Sequence, residues 1–357
     1  MTRLQVAVLY GGKSTEHEVS VHSAQTVVRV LTQKSERYQI YPIFIDKQGY
    51  WFLQKSCGPH QADDKPITPV LTPETNLQAL DGSWKVKIDV FFPVLHGTNC
   101  EDGTMQGFLE TLDTPYVGCG VLASAMGMDK VVTKLLAQCA GVPVLPFFPV
   151  HRRTSYDENQ LRAWVEKQGL PVFVKPVRLG SSVGVRKVKT LDELKPAIDF
   201  ALQFDSDVMI EKGVDHAREI FCALYGEGAN VKASACGELR MIAGEFFDYN
   251  AKYIVEGGCE TKVPADIPAD TAAKMRADSM AVFHALNGSG LARADFLMDK
   301  NGTYYFSEIN TLPGMSETSL FPQLFEACGE SYPQILDGLI EQAQAVYERK
   351  KALSLNR

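Results

Sequence analysis

The sequence lacks the features that mark several whole classes of protein. None of its eight cysteines stands in a C-x-x-C or Cys/His zinc spacing, a usage typical of reduced thiols packed inside a cytoplasmic protein. The apolar run near the N-terminus, residues 6–10, is only five residues long, too short for a signal-peptide core or a membrane span. The net charge is −7 and no basic stripe is present, which disfavours a nucleic-acid partner. We therefore expect a cytoplasmic protein with neither a membrane nor a nucleic-acid partner.

What is present indicates a multidomain α/β protein. The chain has 357 residues, 45% of them hydrophobic and 22% charged, which is enough for two or three domains with buried cores. An apolar strand at 6–10 ends in two glycines, and a helical pattern from Ser20 and a strand at 39–45 follow. This order is typical of a doubly wound α/β domain. We predict three domains, an N-terminal doubly wound domain and two further α/β units, with these bounds: 1–122, 123–214 and 215–357.

Other segments give coarser predictions. Residues 55–85 are rich in Pro, Asp and Thr and lack periodicity, so we predict a surface excursion. The apolar segments 88–95 and 115–117 are predicted strands, and residues 129–140 form a helical pattern that ends in a Gly-then-Pro terminator.

The most informative stretch is a hairpin pattern centred on 301–302. Asn-Gly between two alternating runs predicts a two-residue type I′ turn. With that turn, Asp295 faces Glu308, and Arg293 faces Asn310 on the same side, with Cβ atoms about 4.5–5.5 Å apart. Facing carboxylates repel unless a cation lies between them, and Asp, Glu and Asn oxygens suit Mg²⁺. The alternative is a solvated polar face.

A second group of residues has the chemistry of a phosphate or nucleotide site. The small-residue loop 180–184 lies between two predicted strands and can bring backbone N–H groups to phosphate oxygens. Lys175 precedes it on an apolar strand, and another strand ends in Glu211 and Lys212, with Glu219 beyond. The loop also matches G-x-S-x-G, but a strand rather than a helix follows it, which excludes a nucleophile elbow.

In combination, these motifs make the chain resemble the D-alanine–D-alanine ligases of the ATP-grasp superfamily. The likeness runs from Val6 to about Phe325 and rests on an ordered series of motifs: 11–20 (GGKSTEHEVS), 96–97 (HG), 101–104 (EDGT), 128–130 (MDK), 175–176 (KP), 180–184 (GSSVG), 292–295 (ARAD) and 308–315 (EINTLPGM). The resemblance implies a three-domain ATP-grasp architecture with an N-terminal Rossmann-like domain and with ATP held between the central and C-terminal subdomains.

The resemblance also implies site residues. The implied ATP contacts are Lys130, Lys175, Ser182, Glu211, Lys212, Val214 and Glu219. The implied ligands of two Mg²⁺ or Mn²⁺ ions are Asp295, Glu308 and Asn310. The first D-alanine is expected to contact Glu16, Val19, Ser20 and His96, and the second substrate Lys252, Ser319 and Leu320. The implied loop-closing hydrogen-bonded set is Glu16, Ser181 and Tyr253, and the implied oxyanion donors are Arg293 and the Gly314 N–H.

One spacing departs from the family pattern. Glu219 follows Glu211 by eight residues, where the family usually has seven. Either the strand end carries a one-residue bulge or the ribose contact is shifted.

The implied reaction activates one D-alanine carboxylate with ATP as an acyl phosphate and joins it to a second D-alanine, releasing ADP and phosphate. The product is a dipeptide precursor of peptidoglycan. The aromatic and polar segment 246–258 is the implied lid, which protects the acyl phosphate from water. The general base stays open between the Glu16, Ser181 and Tyr253 set and the phosphate of the intermediate.

Alternatives also stay open. A D-alanine–D-serine or D-alanine–D-lactate ligase on the same scaffold is the first, although Tyr253 favours D-alanine as second substrate by resemblance. A non-catalytic nucleotide-binding regulatory module is the second. Because the family is often dimeric, the resemblance also implies a possible homodimer.

Overall fold

The computed structural model describes residues 3–151, 156–241 and 259–353. Within them the strands form three sheets. The first sheet has the strand order β6-β5-β4-β3-β2-β1-β7, with these bounds: β1 Leu4–Gly11, β2 Tyr38–Ile45, β3 Trp51–Leu53, β4 Lys65–Pro69, β5 Leu77–Ala79, β6 Lys85–Val86 and β7 Val90–Val94. Strand β1 is parallel to β2 and β7, as a doubly wound domain requires, and the excursion from β3 to β6 is antiparallel.

The other two sheets are antiparallel. The second sheet has the order β10-β9-β11-β8, formed by β8 Phe147–His151, β9 Val172–Pro176, β10 Arg186–Val188 and β11 Asp207–Lys212. The third has the order β14-β13-β12-β15-β16, formed by β12 Arg218–Glu227, β13 Lys232–Met241, β14 Cys259–Lys262, β15 Ser289–Met298 and β16 Tyr304–Asn310.

Helices cover these sheets. In the described ranges their bounds are α1 His17–Thr32, α2 Thr104–Thr111, α3 Val121–Met128, α4 Lys130–Cys139, α5 Glu158–Gln168, α6 Leu194–Ala201, α7 Ala269–Ala285, α8 Leu320–Glu326 and α9 Tyr332–Lys351. None of these described helices combines the length and the apolar composition that a membrane crossing requires.

Three helices pack on sheets formed by other parts of the chain. The α4 residue Ala137 and the α3 residue Ala123 share a core cluster with Phe306 of the third sheet, so both helices pack on that sheet. Helix α9 buries Leu339 in a cluster that also contains Val8 of the first sheet. The C-terminal helix therefore joins the cores of the first and third sheets.

Two strand predictions differ from the structure. Residues 55–85 contain β4, β5 and part of β6 instead of a plain excursion, because strands of five, three and two residues are too short for alternation to be visible in the sequence. Residues 115–117 form only an isolated bridge, between Tyr116 and Phe91. The predicted helix at 129–140 is present as α4, and the Asp129 carboxylate caps it by accepting hydrogen bonds from Val131 N and Val132 N.

Candidate functional site

The turn of the β15–β16 hairpin differs from the predicted one. Asp299 N lies 2.8 Å from Thr303 O, so the loop contains three residues instead of two. A type I′ turn needs positive φ at both central residues, but Gly302 has φ +83° and Asn301 is outside the left-handed region. The predicted two-residue turn is therefore wrong. The Asp299 carboxylate stabilises the longer loop, accepting hydrogen bonds from the N atoms of Asn301 and Thr303 at 2.8 and 2.9 Å.

The predicted facing of the polar residues is nevertheless confirmed. A register shift one residue after Asp295 leaves Ser307 as an extra residue on β16, and this bulge offsets the extra residue of the turn. Asp295 therefore pairs directly with Glu308, and Arg293 pairs with Asn310. The four polar side chains share one face of the third sheet.

Each carboxylate of this face is paired with a cation. Arg293 donates Nε to Asp295 Oδ1 and a terminal NH₂ to Oδ2, each at 2.7 Å, and Asn310 Nδ2 donates to Asp295 Oδ2 at 3.0 Å. Lys130 Nζ lies 3.1 Å from Glu308 Oε2. These contacts compensate the charge of two facing acids, which repel each other when unpaired.

The donor set is compatible with a hard divalent cation. Within the described ranges no group of three or more His, Cys, Asp and Glu side chains is arranged to hold a metal. The hairpin offers instead two carboxylates, Asp295 and Glu308, and one amide, Asn310, on one face. Mg²⁺ typically takes one or two carboxylates and completes its shell with phosphate and water, so this set fits.

A buried glutamate between two lysines lies next to this face. Glu211 is 1% exposed, with Lys175 Nζ 2.6 Å from its Oε2 and Lys134 Nζ 2.5 Å from its Oε1. Burial raises the pKa of Glu211, but the two ammonium groups outweigh it and hold the pKa below its ordinary value. Lys134 was missed in the sequence. The signal for it is its place four residues after Lys130, on the same face of α4.

Glu211 and Lys175 line a cavity of about 660 Å³ between the second and third sheets. Asp295 and Glu308 line it, and apolar walls come from Phe173 and Leu239. All seven residues expected at ATP also line it: Lys130, Lys175, Ser182, Glu211, Lys212, Val214 and Glu219. The cavity therefore combines apolar walls for a flat base with cations for phosphates.

An arginine–glutamate cluster in the cavity wall was also missed in the sequence. Arg218 donates Nε and a terminal NH₂ to the two carboxylate oxygens of Glu238, at 2.6 and 2.8 Å. Arg240 Nε donates to the same carboxylate at 3.0 Å. The residues lie on neighbouring antiparallel strands, β12 and β13, and no local pattern in the sequence reveals that pairing.

A hydrogen bond connects the first domain to the loop beside the cavity. Ser181 Oγ donates to Glu16 Oε1, and Glu16 is 9% exposed. Ser181 and Ser182 have φ +53° and +58°, a conformation that costs a non-glycine residue energy and persists only when its surroundings hold it. The contact with Glu16 is one such restraint. Tyr253 and Lys252, like the segment 246–258, lie outside the described residues.

His96 and Glu101 are buried beside Glu16. His96 Nδ1 is 2.8 Å from Leu312 O, and its buried Nε2 has no hydrogen-bond partner among the residues that the structure describes. Burial lowers the pKa of His96 although the Glu16 charge opposes the change. Burial, followed by repulsion from Glu16, raises the pKa of Glu101 to about 8. Both groups are therefore neutral near pH 7.

Ser20 and Val19, both expected near the first D-alanine, differ in how far their side chains are exposed to solvent. Ser20 is completely buried; its Oγ accepts a hydrogen bond from Gly11 N at 2.8 Å and donates one to Val94 O. Ser20 thus joins the ends of β1 and β7, and this geometry gives no support to direct substrate contact. Val19 is half-buried on the same helix.

The remaining expected residues lie together after β16. A Cβ atom on Gly314 would lie 2.9 Å from Ser319 Oγ. The glycine therefore lets the Ser319 side chain approach the backbone closely, and a larger residue at 314 would require Ser319 to shift. Ser319 Oγ accepts a hydrogen bond from Ser316 N at 3.0 Å, and Leu320 is the first residue of α8. Both side chains are half-buried.

Comparison with known proteins gives the same family for both halves of the chain. The model described as D-ala D-ala ligase N-terminus matches residues 5–119, and the one described as D-ala D-ala ligase C-terminus matches residues 136–341. The D-alanine–D-alanine ligase of Thermoanaerobacter sp. is 41% identical over 98% of this chain and 99% of its own. D-alanine–D-alanine ligase A of Bradyrhizobium diazoefficiens is 42% identical over 98% of each chain.

Solved structures agree with these relatives. The D-alanine–D-alanine ligase from Coxiella burnetii has a TM-score of 0.85 at 33% identity, covering 98% of this chain and 97% of its own. The VanG D-Ala:D-Ser ligase from Enterococcus faecalis has a TM-score of 0.84 at 32% identity, covering 96% and 100%. The three-sheet α/β architecture is thus the ATP-grasp fold, as predicted. With both family models matched and about 40% identity to relatives along the whole length, this chain belongs to the D-alanine–D-alanine ligase family of ATP-dependent ligases.

Proposed function

We propose that the protein joins two D-alanine molecules, using ATP and releasing ADP and phosphate, to make the dipeptide precursor of peptidoglycan. Family membership supports the reaction class. The observation that carries the proposal is the cavity in which all seven expected nucleotide residues meet the facing pair Asp295 and Glu308. A nucleotide bound there places its phosphates beside two carboxylates that can hold a divalent ion.

We propose further that Asp295, Glu308 and Asn310 hold two Mg²⁺ ions, or Mn²⁺. The all-oxygen donor set on one face supports this assignment. When bound, such ions neutralise phosphate charge and orient the transferring group. The ammonium of Lys130, now 3.1 Å from Glu308, supplies a further positive charge next to the same donors.

The chemistry proceeds in two steps. A carboxylate oxygen of the first D-alanine attacks the γ-phosphorus of ATP, the bond from phosphorus to the ADP oxygen breaks, and an acyl phosphate forms. The ammonium group of the second D-alanine gives a proton to the general base, which is either the Glu16, Ser181 and Tyr253 set or the phosphate of the intermediate. Its nitrogen then attacks the acyl carbon, the bond from that carbon to the phosphate oxygen breaks, and the nitrogen loses its second proton to solvent as phosphate leaves. Arg293 and the Gly314 N–H stabilise the oxyanion of that tetrahedral intermediate. The two hydrogen bonds from Arg293 to Asp295 fix the position of the guanidinium group before substrate binds. Stabilisation of an oxyanion requires donors that are preorganised in this way.

Substrate positions follow from the expected residues. We assign the first D-alanine to Glu16, Val19 and His96, with Glu16 binding its ammonium group. Ser319, Leu320 and Lys252 receive the carboxylate of the second. The hydrogen bond from Ser181 to Glu16 supports a set, with Tyr253 as its third member, that closes the loop over the reactants and excludes water.

The assignments of location, assembly and domains are also proposals. The cysteines with described side chains are free thiols, which is usual in the reducing cytoplasm where ATP is available. A homodimer is proposed from the family alone. The domain bounds 1–122, 123–214 and 215–357 are likewise proposed from the sequence.

The test is phosphate release from ATP and Mg²⁺ with D-alanine or L-alanine, with the product identified by mass spectrometry. We expect phosphate and the dipeptide with D-alanine only. Nucleotide binding without D-alanine-dependent phosphate release would favour the regulatory module instead. Because the VanG D-Ala:D-Ser ligase has a similar fold, D-serine and D-lactate are added in competition with D-alanine. A main product that contains D-alanine joined to D-serine or D-lactate would identify the alternative ligases.

A further inference from the structure

Lys134 is a buried lysine for which the proposed reaction has no role. Its side chain is 1% exposed, and the described lining of the cavity includes Lys130 and Lys175 but not Lys134. Its side chain therefore lies behind the wall of the cavity. A buried ammonium group is unfavourable unless ion pairs and hydrogen bonds compensate it, so its partners indicate what it does.

Its partners are a carboxylate and a backbone carbonyl. Lys134 Nζ lies 2.5 Å from Glu211 Oε1 and donates a hydrogen bond to Phe306 O at 3.2 Å. The other oxygen of Glu211 lies 2.6 Å from Lys175 Nζ. Glu211 thus lies between two ammonium groups, that of Lys134 behind the cavity wall and that of Lys175 in the wall itself.

These contacts join three elements of the fold. Lys134 belongs to α4, Glu211 to β11 of the second sheet, and Phe306 to β16 of the third sheet. Phe306 N also donates to Pro143 O at 2.8 Å, which anchors the segment after α4 on β16. One side chain therefore connects the two sheets that line the cavity.

Lys175 presents the positive charge of this cluster to the cavity. Burial lowers the pKa of Lys134, although Glu211 opposes the change. Burial also disfavours the charged form of Lys175, but nearby carboxylates, Glu211 first and then Glu308, outweigh it and hold the Lys175 pKa above its ordinary value. The charged ammonium of Lys175 in the cavity wall can therefore pair with a phosphate group in the cavity.

We propose that Lys134 is a positioning residue for nucleotide binding, which fixes Glu211 and, through Glu211, the ammonium of Lys175 in the cavity wall. The inference rests on the proposed function for the identity of the nucleotide as ATP. Without Lys134, Glu211 keeps Lys175 as a partner but loses its contact on the side away from the cavity. Both side chains then gain conformational freedom, which nucleotide binding must remove.

The test compares Lys134→Met, Lys134→Gln and Lys134→Arg in the full chain, with exposed Lys167→Met as the matched control. Affinity for ADP with Mg²⁺ is measured by calorimetry, and KM is measured separately for ATP and D-alanine. We expect Lys134→Met to weaken ADP binding and raise KM for ATP about 10-fold or more, while KM for D-alanine changes less than about twofold. Lys134→Arg, which keeps the charge, recovers most of the loss, and Lys167→Met equals wild type.

Lys134→Gln retains a donor for Phe306 O and serves as the neutral variant if Lys134→Met does not fold. A folded neutral variant that binds ADP like wild type would overturn the proposal. Equal increases in KM for ATP and for D-alanine would also overturn the proposal, because a general destabilisation of the protein gives that result.

A double-mutant cycle with Glu211→Gln tests whether Lys134 acts through Glu211. We expect the neutral substitution at Lys134 to weaken ADP binding less than about twofold further when Glu211→Gln is already present, because contacting residues do not act additively. Fully additive losses would contradict the proposal. Since ADP affinity needs no D-alanine, a wild-type protein that binds ADP but makes no dipeptide would refute the proposed function and leave this inference testable.

Discussion

Arg293 holds both carboxylate oxygens of Asp295, with Nε and a terminal NH₂ each 2.7 Å from one of them. Both residues lie on β15, two positions apart, so their side chains share a face. The pair links the group proposed to stabilise the oxyanion to a group proposed to hold Mg²⁺. If both proposed roles hold, one bidentate contact joins the residue that serves phosphoryl transfer to the residue that serves amide formation.

The first prediction concerns Asp295. We expect Asp295→Asn to reduce kcat about 10³-fold or more, because it removes a metal carboxylate worth several kcal/mol in the transition state. The circular dichroism spectrum should stay that of wild type. Asp270→Asn, at an exposed position in the first turn of α7, is the control and should retain full activity. Wild-type turnover in Asp295→Asn would remove the metal assignment.

The second prediction concerns the hydrogen bond between Ser181 and Glu16. Ser181→Ala removes the donor and releases a loop in an unfavourable backbone conformation. We expect kcat to fall about 10- to 100-fold, since misplacement of reacting groups costs that much. Steady-state kinetics measure the change, with exposed Ser56→Ala as the control. Equal kcat values for the two variants would show that the contact has no part in closure.

The third prediction concerns the junction between the first domain and α9. Asp337 accepts a hydrogen bond from Tyr38 OH at 2.8 Å and pairs with Lys34 and Arg37. We expect Asp337→Ala to lower the free energy of unfolding by about 2 kcal/mol, because it removes the acceptor of the buried Tyr38 hydroxyl and the carboxylate partner of the half-buried Lys34. Glu341→Ala removes a single exposed pair with Arg37 and should cost at most about 0.5 kcal/mol. Denaturant titration of both variants measures the free energy of unfolding. Equal decreases for Asp337→Ala and Glu341→Ala would contradict the prediction.

The fourth prediction concerns pH. The pKa of Glu101 is raised to about 8 by burial and by Glu16, so between its unfolded value and pH 8 the folded protein holds a proton that the unfolded chain has lost. The stabilisation is complete below the unfolded pKa and is lost as pH rises through 8, with a slope of up to about 1.4 kcal/mol per pH unit.

Glu101→Gln, which can still accept the hydrogen bond from Gly97 N, should flatten that slope. Melting temperatures of ligand-free wild type and variant from pH 5 to 8 measure it. Parallel curves for the two proteins would mean that Glu101 is ionised throughout.

The parts of this structure that could be predicted from the sequence are those set by local rules. The facing of Asp295 and Glu308 follows from strand alternation, although it depends on a bulge at Ser307 that compensates a longer turn than Asn-Gly predicts. Without that bulge, the longer turn would have moved Asp295 one position away from Glu308. The predicted pairing is therefore correct because two unpredicted features cancel: the turn is one residue longer, and the bulge restores the register.

The parts that could not be predicted are set by contacts between distant segments. The position of Lys134 four residues after Lys130 is visible in the sequence, but its pairing with Glu211 is not, because that pairing depends on contacts that bring α4 to β11 and β16. The bidentate pair of Arg218 and Glu238 depends in the same way on the register of β12 and β13. The short strands between 65 and 86 are too brief to carry a periodic pattern.

In the proposed reaction the D-alanine carboxylate itself receives the phosphoryl group beside Asp295 and Glu308. The most direct test uses D-alanine labelled with ¹⁸O in its carboxylate, together with unlabelled ATP in unlabelled water, and mass spectrometry of the released phosphate. We expect each phosphate to carry one ¹⁸O, because the carboxylate oxygen leaves with phosphorus when the amide forms. Unlabelled phosphate accompanying dipeptide formation would contradict it.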